Sequence, residues 1–203
     1  MDQQALWVAQ ALRGDQRAFA YLVDLYQAAV YNLCYRMLGN APEAEDAAQE
    51  TFVRVYRHLH KYDPQQKFSS WILAVASHYC IDRLRRRRIK WLSLDNVLAL
   101  RPAATDPALP EETILQHESR AEVRDLLQSL PAEHRLVIVL RYWYDLSYVE
   151  IAQVVDSSES AIKSRLHRAR KMLAKRVMAQ RQAGTLSRKQ VQEERRVANN
   201  ALL

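Results

Sequence analysis

The sequence predicts an all-α protein made of two small helical domains joined by an extended linker. Only three of its 203 residues are glycine, and apolar residues recur at helical spacing, with almost no alternating runs of the kind seen in strands. Hydrophobic residues make up 49% of the chain, which is enough to build two small cores. The predicted division is a first domain, a linker, a second domain and a tail, at residues 1–90, 91–112, 113–178 and 179–203.

The first domain begins with a long helix whose apolar stripe is typical of core packing. Gly39, Asn40 and Pro42 are expected to end this helix, because glycine favours the left-handed cap and proline cannot continue a helix. The residues predicted to face the core are Phe19, Leu22, Val23, Tyr26, Val30, Leu33, Cys34 and Met37.

A second helix, from Pro42 to His60, combines a buried side with a strongly polar face. The predicted buried residues are Ala47, Ala48, Phe52 and either Val55 or Tyr56. The polar face consists of Glu43, Asp46, Gln49, Glu50, Arg54 and Arg57. The pattern by itself fits either a solvated surface or a docking face for a basic partner. This face has no evident use within the chain, and the pattern alone favours a solvated surface without excluding docking.

The loop from Tyr62 to Phe68 and the helix that follows place aromatic residues beside a basic run at residues 83–88. Unstacked bases bind on aromatic faces and beside arginine or lysine, so this composition suits single-stranded DNA. Trp71 shares an apolar stripe with neighbouring helix positions, which favours core packing. Tyr62 is the better stacking candidate because its loop carries Asp63, Pro64 and two Gln. The density of the basic run favours phosphate contacts over a merely solvated helix end.

The linker and the tail lack the features of a packed domain. Between Asp95 and Glu112 the chain contains three prolines and loses helical periodicity, and its charge changes from basic to acidic, with only Arg101 opposing. A solvated connector is the alternative to a functional segment here. The tail after Met178 is rich in Arg, Gln and Glu, and we expect it to be frayed or partly helical without a core of its own.

The second domain contains the pattern of a helix-turn-helix. Ser147 and Glu150 form a capping box that starts one helix, and residues 156–158 supply a polar turn and the next cap. The following helix has a buried stripe of Ile162, Leu166, Ala169 and Leu173. Its outer face presents Ser160, Lys163, Ser164, His167, Arg168 and Lys171. These donors suit phosphates and base edges, so the arrangement predicts a DNA-recognition helix rather than a solvated basic one.

Charge and composition restrict the partners. A formal net charge of +7 predicts an anionic partner, either nucleic acid or an anionic membrane surface. The opening residues lack the basic region of a signal peptide, and apolar runs such as 136–140 are too short to span a bilayer, so we expect a cytoplasmic protein without membrane insertion. Cys34 and Cys80 lie in apolar helical stretches, which predicts buried thiols and no metal or cofactor.

With these residues placed, the chain resembles a bacterial RNA polymerase sigma factor of the extracytoplasmic-function (ECF) group. The segment from Asp46 to Tyr56 resembles the helix of the second sigma region, which docks on the clamp helices of the polymerase largest subunit. The resemblance implies that this helix contacts core RNA polymerase. It also implies contacts between the chain and the elements of core polymerase that face upstream DNA. The implied polymerase-binding residues are Asp46, Gln49, Glu50 and Arg54.

The resemblance also implies two DNA-reading surfaces, for double-stranded and single-stranded promoter DNA. The helix from Phe68 resembles the element that melts the promoter and reads its minus-ten element, with the Tyr62 loop holding a flipped base. Its implied residues are Tyr62, Phe68, Trp71, His78, Arg83, Arg85 and Arg86. The segment from Leu130 to Arg170 resembles the fourth region, which reads the minus-thirty-five element. Its implied residues are Ser160, Lys163, Ser164, His167, Arg168 and Lys171.

Further implications of the resemblance concern regulation and sequence departures. The family is typically masked by an anti-sigma factor until a stress signal releases it, so such a partner is expected. The linker would run through the polymerase toward its active-site and RNA-exit channels. His78 stands where many relatives have Asn, and Asp156 stands where Gly is common in the turn, although Asp tolerates the left-handed conformation.

Two other classes of protein fit the sequence less well. A stand-alone helix-turn-helix regulator explains the second domain only and leaves the helix from Pro42 to His60 without a partner. An enzyme acting on nucleic acid needs paired metal ligands or a positioned nucleophile, and Asp46 and Glu50 have no further acidic or histidine motif to join them. The sequence therefore predicts a sigma factor that directs polymerase to promoters and assists strand opening, and not an enzyme.

Overall fold

The computed structural model describes the backbone of residues 3–92 and 114–200, with side chains described over residues 3–89, 120–180 and at 182. All regular structure in these ranges is helical. The N-terminal helices are α1 (Gln3–Leu12), α2 (Gln16–Leu38), α3 (Ala41–His58) and α4 (Phe68–Leu92), with a 3-10 turn at Leu59–Lys61. The C-terminal helices are α5 (Ile114–Gln128), α6 (Ala132–Trp143), α7 (Tyr148–Val154) and α8 (Glu159–Asn200). Apart from its first two residues, the predicted linker lies outside the described residues.

Local capping signals set the ends of α2 and α3. The Asp15 carboxylate accepts hydrogen bonds from the backbone N–H groups of Arg17 and Ala18, at 2.8 and 3.1 Å. Gly39 ends α2 in the left-handed conformation, with φ of 73°, and its N–H donates to the Tyr35 carbonyl. The Asn40 side chain then caps α3 by accepting from Glu43 N–H at 3.0 Å. The predicted stop at Gly39 and Asn40 is confirmed.

The core of the N-terminal domain lies where α2, α3 and α4 meet, with α1 packed against α2. Six of the eight predicted core residues of α2 are buried, and Phe19 and Val23 are half-buried at its edges. On α3, Ala47, Ala48 and Val55 are buried as predicted, whereas Phe52 is half-buried and Tyr56 is half exposed. Cys34 and Cys80 are free, buried thiols, as predicted.

The C-terminal domain is built around α6. Six successive residues of this helix, 135–140, are buried, because α6 packs against α7 and α8 and also against α2 of the other domain. Buried residues of both domains form one continuous hydrophobic cluster. Backbone described to Asn200 shows that the predicted tail continues α8 as a helix. No helix in the described ranges is both long and apolar enough to cross a membrane.

Candidate nucleic-acid interface and docking face

The start of the helix-turn-helix is fixed by a complete capping box. Ser147 Oγ accepts from Glu150 N–H at 3.2 Å, and the Glu150 carboxylate accepts from Ser147 N–H at 2.9 Å. The same carboxylate lies 2.7 Å from Lys67 Nζ. The bond from Lys67, followed by those from Ser147, lowers the pKa of Glu150 to about 2. The predicted capping box is confirmed, and its glutamate remains ionised at physiological pH.

The turn between α7 and α8 adopts the conformation that the sequence pattern requires. Asp156 lies in the left-handed region, with φ of 49°, so the Asp that replaces a common Gly is accommodated. Ser157 N–H donates to the Ala152 carbonyl at 2.9 Å, which closes the end of α7. Ser158 Oγ accepts from Ala161 N–H at 3.2 Å and caps α8. These bonds hold α8 in a fixed orientation relative to α7.

Helix α8 has the buried side and the exposed polar side that the sequence predicts. Ile162, Leu166 and Ala169 are buried, and Leu173 is half-buried beside them. The six residues of the outer face are all exposed: Ser160, Lys163, Ser164, His167, Arg168 and Lys171. We call these six residues the recognition face. A buried stripe on one side and hydrogen-bond donors on the other is the arrangement by which a recognition helix enters the major groove.

Within the recognition face, Lys163 and Arg168 differ in their surroundings. Lys163 Nζ lies 2.7 Å from the Glu159 carboxylate one turn earlier, and this bond raises the pKa of Lys163. A DNA contact through Lys163 must therefore replace an existing exposed ion pair, which is weak in water. Arg168 forms no ion pair with any side chain that the structure describes. Compared with Lys163, the Arg168 guanidinium is therefore better placed to make a new bidentate contact with DNA.

The Tyr62 ring lies inside an aromatic cluster, which corrects the expectation of an open stacking face. The residue is only 8% exposed, and its ring centroid lies 5.3 Å from that of Phe68 and 5.2 Å from that of Trp71. Its hydroxyl donates to the Gln66 carbonyl at 2.5 Å, and burial raises the pKa of Tyr62. The reason is a turn anchored by Asp63, which folds the loop back over the hydroxyl. Tyr62 and the buried Phe68 therefore shape the loop, and half-buried Trp71 lies at the cluster edge.

The acidic face of α3 is paired with arginines, which corrects the expectation that it has no use within the chain. Glu43 lies 3.0 Å from Arg87, and Asp46 lies 3.6 Å from Arg83. The pairing occurs because α3 and α4 pack side by side, so arginines near the end of α4 reach the start of α3. Asp46 is nevertheless mostly exposed and Gln49 is exposed, so the face remains accessible for docking.

Arginines from both helices surround a shallow cavity between α3 and α4. The Arg54 guanidinium lies 4.7 Å from the centre of the Tyr79 ring, and its Nε is 2.8 Å from Glu50. The cavity has a volume of about 320 Å³ and is lined by Arg54, Tyr79, Asp82, Arg83, Arg86 and Arg87. Arg85 pairs with Asp82 at 3.1 Å, while His78 and Arg86 are exposed. The predicted minus-ten residues of α4 thus form a basic surface whose arginines are partly neutralised.

Sequence reasoning missed Arg135, a buried arginine in α6. The one signal available was an arginine directly before the apolar run 136–140, on the stretch of α6 whose successive residues are buried. Its guanidinium donates to the carbonyls of Gln128 and Leu130 at 3.0 and 3.1 Å, and also to the Met37 carbonyl. Among the residues with described side chains, no cluster of three or more His, Cys, Asp or Glu is placed to hold a metal ion.

Comparison with known proteins assigns both domains. The family model for Sigma-70 region 2 matches residues 22–89, and the model for Sigma-70 region 4 matches residues 120–173. The ECF RNA polymerase sigma factor SigW of Bacillus subtilis (strain 168) is 38% identical over 177 residues, which cover 84% of this chain and 94% of the relative. The chain belongs to the ECF RNA polymerase sigma factors. The resemblance drawn from the sequence is confirmed.

Other similar proteins agree with this assignment. The RNA polymerase sigma-H factor of Pseudomonas aeruginosa is 33% identical to this sigma factor over 86% of the chain and 92% of the relative. The solved structure of CnrH in complex with the cytosolic domain of CnrY is similar, with a TM-score of 0.64, 28% identity, and coverage of 88% of this chain and 99% of that one. The match of residues 22–89 to Sigma-70 region 2 excludes a stand-alone helix-turn-helix regulator, which would explain the second domain only. As a sigma factor, the protein is a transcription initiation factor that binds core RNA polymerase, directs it to promoters and assists strand opening, and it is not an enzyme.

Proposed function

We propose that the two domains divide the work of promoter recognition, residues 1–90 docking on polymerase and reading the minus-ten element, and residues 113–178 reading the minus-thirty-five element. The observation that carries this proposal is the recognition face of α8, six exposed polar or basic residues backed by a buried stripe. In a helix-turn-helix, such a face reads base edges and phosphates in the major groove.

The proposed docking face consists of Asp46, Gln49, Glu50 and Arg54 on α3. Its exposed carboxylate and amide are available to a partner of basic or mixed charge, and the Asp46–Arg83 pair and the contact of Arg54 with the Tyr79 ring join this face to α4. The proposed minus-ten surface on α4 consists of Trp71, His78, Arg83, Arg85 and Arg86. Tyr62 and Phe68 support it by fixing the shape of the preceding loop. The proposed location is cytoplasmic, where core polymerase and promoter DNA are found.

A protein inhibitor is a further proposed partner. The structure of CnrH, which is similar over most of this chain, is of a complex with the cytosolic domain of CnrY. That precedent supports an anti-sigma factor for this chain as well. Coexpression of the sigma factor with the product of a neighbouring reading frame, followed by purification, tests whether such a complex forms.

The proposed division of labour is tested by transcription from a promoter library. Purified sigma factor with core polymerase should yield transcripts from promoters that share two elements, one near minus ten and one near minus thirty-five. Chains changed at the recognition face should shift preference only in the upstream element. Selection of promoters with a single element, unaffected by those changes, would contradict the proposal.

Replacing Arg168 by alanine should lower promoter affinity by about 1–3 kcal/mol and relax base preference at one position of the upstream element, if the arginine contacts a guanine. A phosphate contact would instead weaken all sequences alike and lower the salt slope by about one. Binding of the holoenzyme to single-base promoter variants at two salt concentrations separates the two cases. Arg170→Ala is the matched control, because Arg170 lies off the recognition face and bonds to the Tyr142 hydroxyl. Unchanged affinity and base preference in Arg168→Ala would rule out this role.

Replacing Tyr62 by phenylalanine should impair transcription from duplex promoters more than from a template with a pre-melted bubble. The change keeps the ring but removes the hydroxyl bond to Gln66, so the loop that is proposed to hold a flipped base loses its shape. Initial rates on the two templates are the measurement, with Tyr21→Phe, an exposed tyrosine on α2, as the control. An equal loss on both templates would assign Tyr62 to folding or docking.

A further inference from the structure

The cavity between α3 and α4 is lined mainly by arginines, and we call it the arginine cavity. It has a volume of about 320 Å³, and one of its arginines comes from α3 and three come from α4: Arg54, Arg83, Arg86 and Arg87. The carboxylate of Asp82 also lines it, but this carboxylate is paired with Arg85 at 3.1 Å. Because guanidinium groups form their strongest hydrogen bonds with carboxylates and phosphates, the arginine cavity favours an anionic ligand.

Carboxylates that do not line the cavity orient two of these arginines. Glu43 bonds to Arg87 Nη1 at 3.0 Å, and Glu50 bonds to Arg54 Nε at 2.8 Å. The other two nitrogens of each guanidinium have no hydrogen-bond partner among the described residues. Arg86 is exposed and forms no ion pair with a described side chain. Since a guanidinium carries five N–H donors in a fixed plane, these arginines keep donors that a ligand can use.

An aromatic ring lies beside the cations of the cavity. The Arg54 guanidinium lies 4.7 Å from the centre of the Tyr79 ring, and both residues line the cavity. Arg83 Nη1 donates to the Tyr79 hydroxyl at 3.4 Å, which restrains the ring. Nucleobases stack on aromatic rings and on the planes of guanidinium groups. The arginine cavity therefore offers a stacking surface for a base together with donors for phosphates.

We propose that the arginine cavity binds one nucleoside diphosphate or triphosphate, with its base against the Arg54–Tyr79 pair and its phosphates on the arginines of α4. A volume of about 320 Å³ is near the lower limit of small-molecule sites, roughly 300–1,000 Å³, so the cavity holds one small ligand and not a length of DNA strand. A chain of two or three phosphates reaches several guanidinium groups at once, which a single phosphate does not.

A nucleotide in the arginine cavity would act on two surfaces with separate proposed roles. The Glu50–Arg54 pair belongs to the proposed docking face, whereas Arg83 and Arg86 belong to the proposed minus-ten surface. Phosphates bound to Arg83 and Arg86 occupy donors that a DNA strand would otherwise use. Resting on the proposed function, this second part of the inference is that the nucleotide competes with the minus-ten strand.

Binding of a fluorescent ADP analogue to the full chain tests the site directly. Fluorescence polarisation should rise to saturation at one analogue per chain. Arg87→Gln should weaken binding by about tenfold or more, because it removes a guanidinium from the cavity and keeps a polar side chain. Arg88→Gln is the matched control, since it makes the same change of charge at an exposed neighbour that does not line the cavity. Circular dichroism establishes that both variants are folded.

Competing ligands show which part of the nucleotide is recognised. ADP should displace the analogue about tenfold better than adenosine, which lacks the phosphates, or inorganic pyrophosphate, which lacks the base. Equal displacement by pyrophosphate and ADP would overturn the nucleotide site, because the base would then contribute nothing. Absence of saturable binding, or the same loss in Arg88→Gln as in Arg87→Gln, would overturn it as well.

Competition with DNA is measured with holoenzyme and a labelled single strand that carries the minus-ten element of a promoter selected from the library. ADP, but not adenosine, should weaken binding of this strand by about threefold or more. Arg87→Gln should bind the strand like the wild type and resist ADP, since Arg87 lies outside the proposed minus-ten residues. Strand binding that ADP leaves unchanged, in a chain that binds the ADP analogue, would overturn the competition. If the wild type does not bind the strand even without ADP, the proposed function is what has failed.

Discussion

Reversing the charge of Asp46 and Glu50 to lysine should weaken binding to core polymerase by at least a hundredfold, or about 2.7 kcal/mol. Both residues lie on the proposed docking face of α3, and like charges brought together at an interface cost several kcal/mol. The same variant should give no promoter-dependent transcription when sigma factor is limiting. Affinity for core polymerase, measured by fluorescence anisotropy of labelled sigma factor, is the direct readout.

The pairs with α4 require a careful control for this variant. Asp46 contacts Arg83 of α4, and Glu50 contacts Arg54 of α3, whose guanidinium lies over the Tyr79 ring of α4, so lysines there also disturb the packing of α3 on α4. Asp46→Asn with Glu50→Gln removes the charges without repulsion and should give an intermediate loss. The control is Asp24→Lys with Glu122→Lys, which changes the net charge by the same amount at two exposed residues outside the docking face. Helicity and melting temperature must stay near wild type, and wild-type affinity in the charge-reversed chain would exclude this face as the docking site.

The helix-turn-helix could be predicted from sequence because its signals are local. The capping box spans four residues, the left-handed turn falls on one residue, and the buried stripe repeats every three or four positions along one helix. Each of these features depends on neighbours in the chain. For the same reason, the stop of α2 at Gly39 lies within the predicted group of Gly39, Asn40 and Pro42.

The errors arose where a side chain meets a distant part of the chain. Glu43 and Arg87 are 44 positions apart, so their pairing depends on how α3 packs against α4 and has no sequence period. Tyr62 was expected to be open because its loop is polar, yet the loop folds back on the hydroxyl through a backbone carbonyl. Backbone acceptors have no residue-type signature, which is also why the contacts of Arg135 and Tyr144 with α2 could not be foreseen.

Replacing Arg135 by alanine should lower the free energy of unfolding by about 2–4 kcal/mol. Arg135 is 5% exposed, and burial lowers its pKa to about 10, so it remains charged at neutral pH. It bonds to carbonyls at the C-terminal ends of α2 and α5, where a cation is favoured by the helix dipole. Alanine would remove the arginine donor from the Gln128 and Leu130 carbonyls and leave the Met37 carbonyl with only the 3.4 Å bond from the Gln128 amide.

The Nε atom of Arg135 is buried without a hydrogen-bond partner, and this costs some of the stability that the other bonds of Arg135 supply. The expected loss on replacement by alanine therefore does not exceed about 4 kcal/mol. Arg135→Met keeps much of the side-chain volume but none of the hydrogen bonds, so it should lose nearly as much stability as Arg135→Ala. The matched control is Arg165→Ala, which removes an arginine on α8 that lies 3.6 Å from Glu133 at the surface and should cost less than about 1 kcal/mol. Urea unfolding of the full chain, followed by circular dichroism, is the measurement. If Arg135→Ala and Arg165→Ala unfold at the same urea concentration, the bonds from Arg135 do not hold the ends of α2 and α5 together in solution.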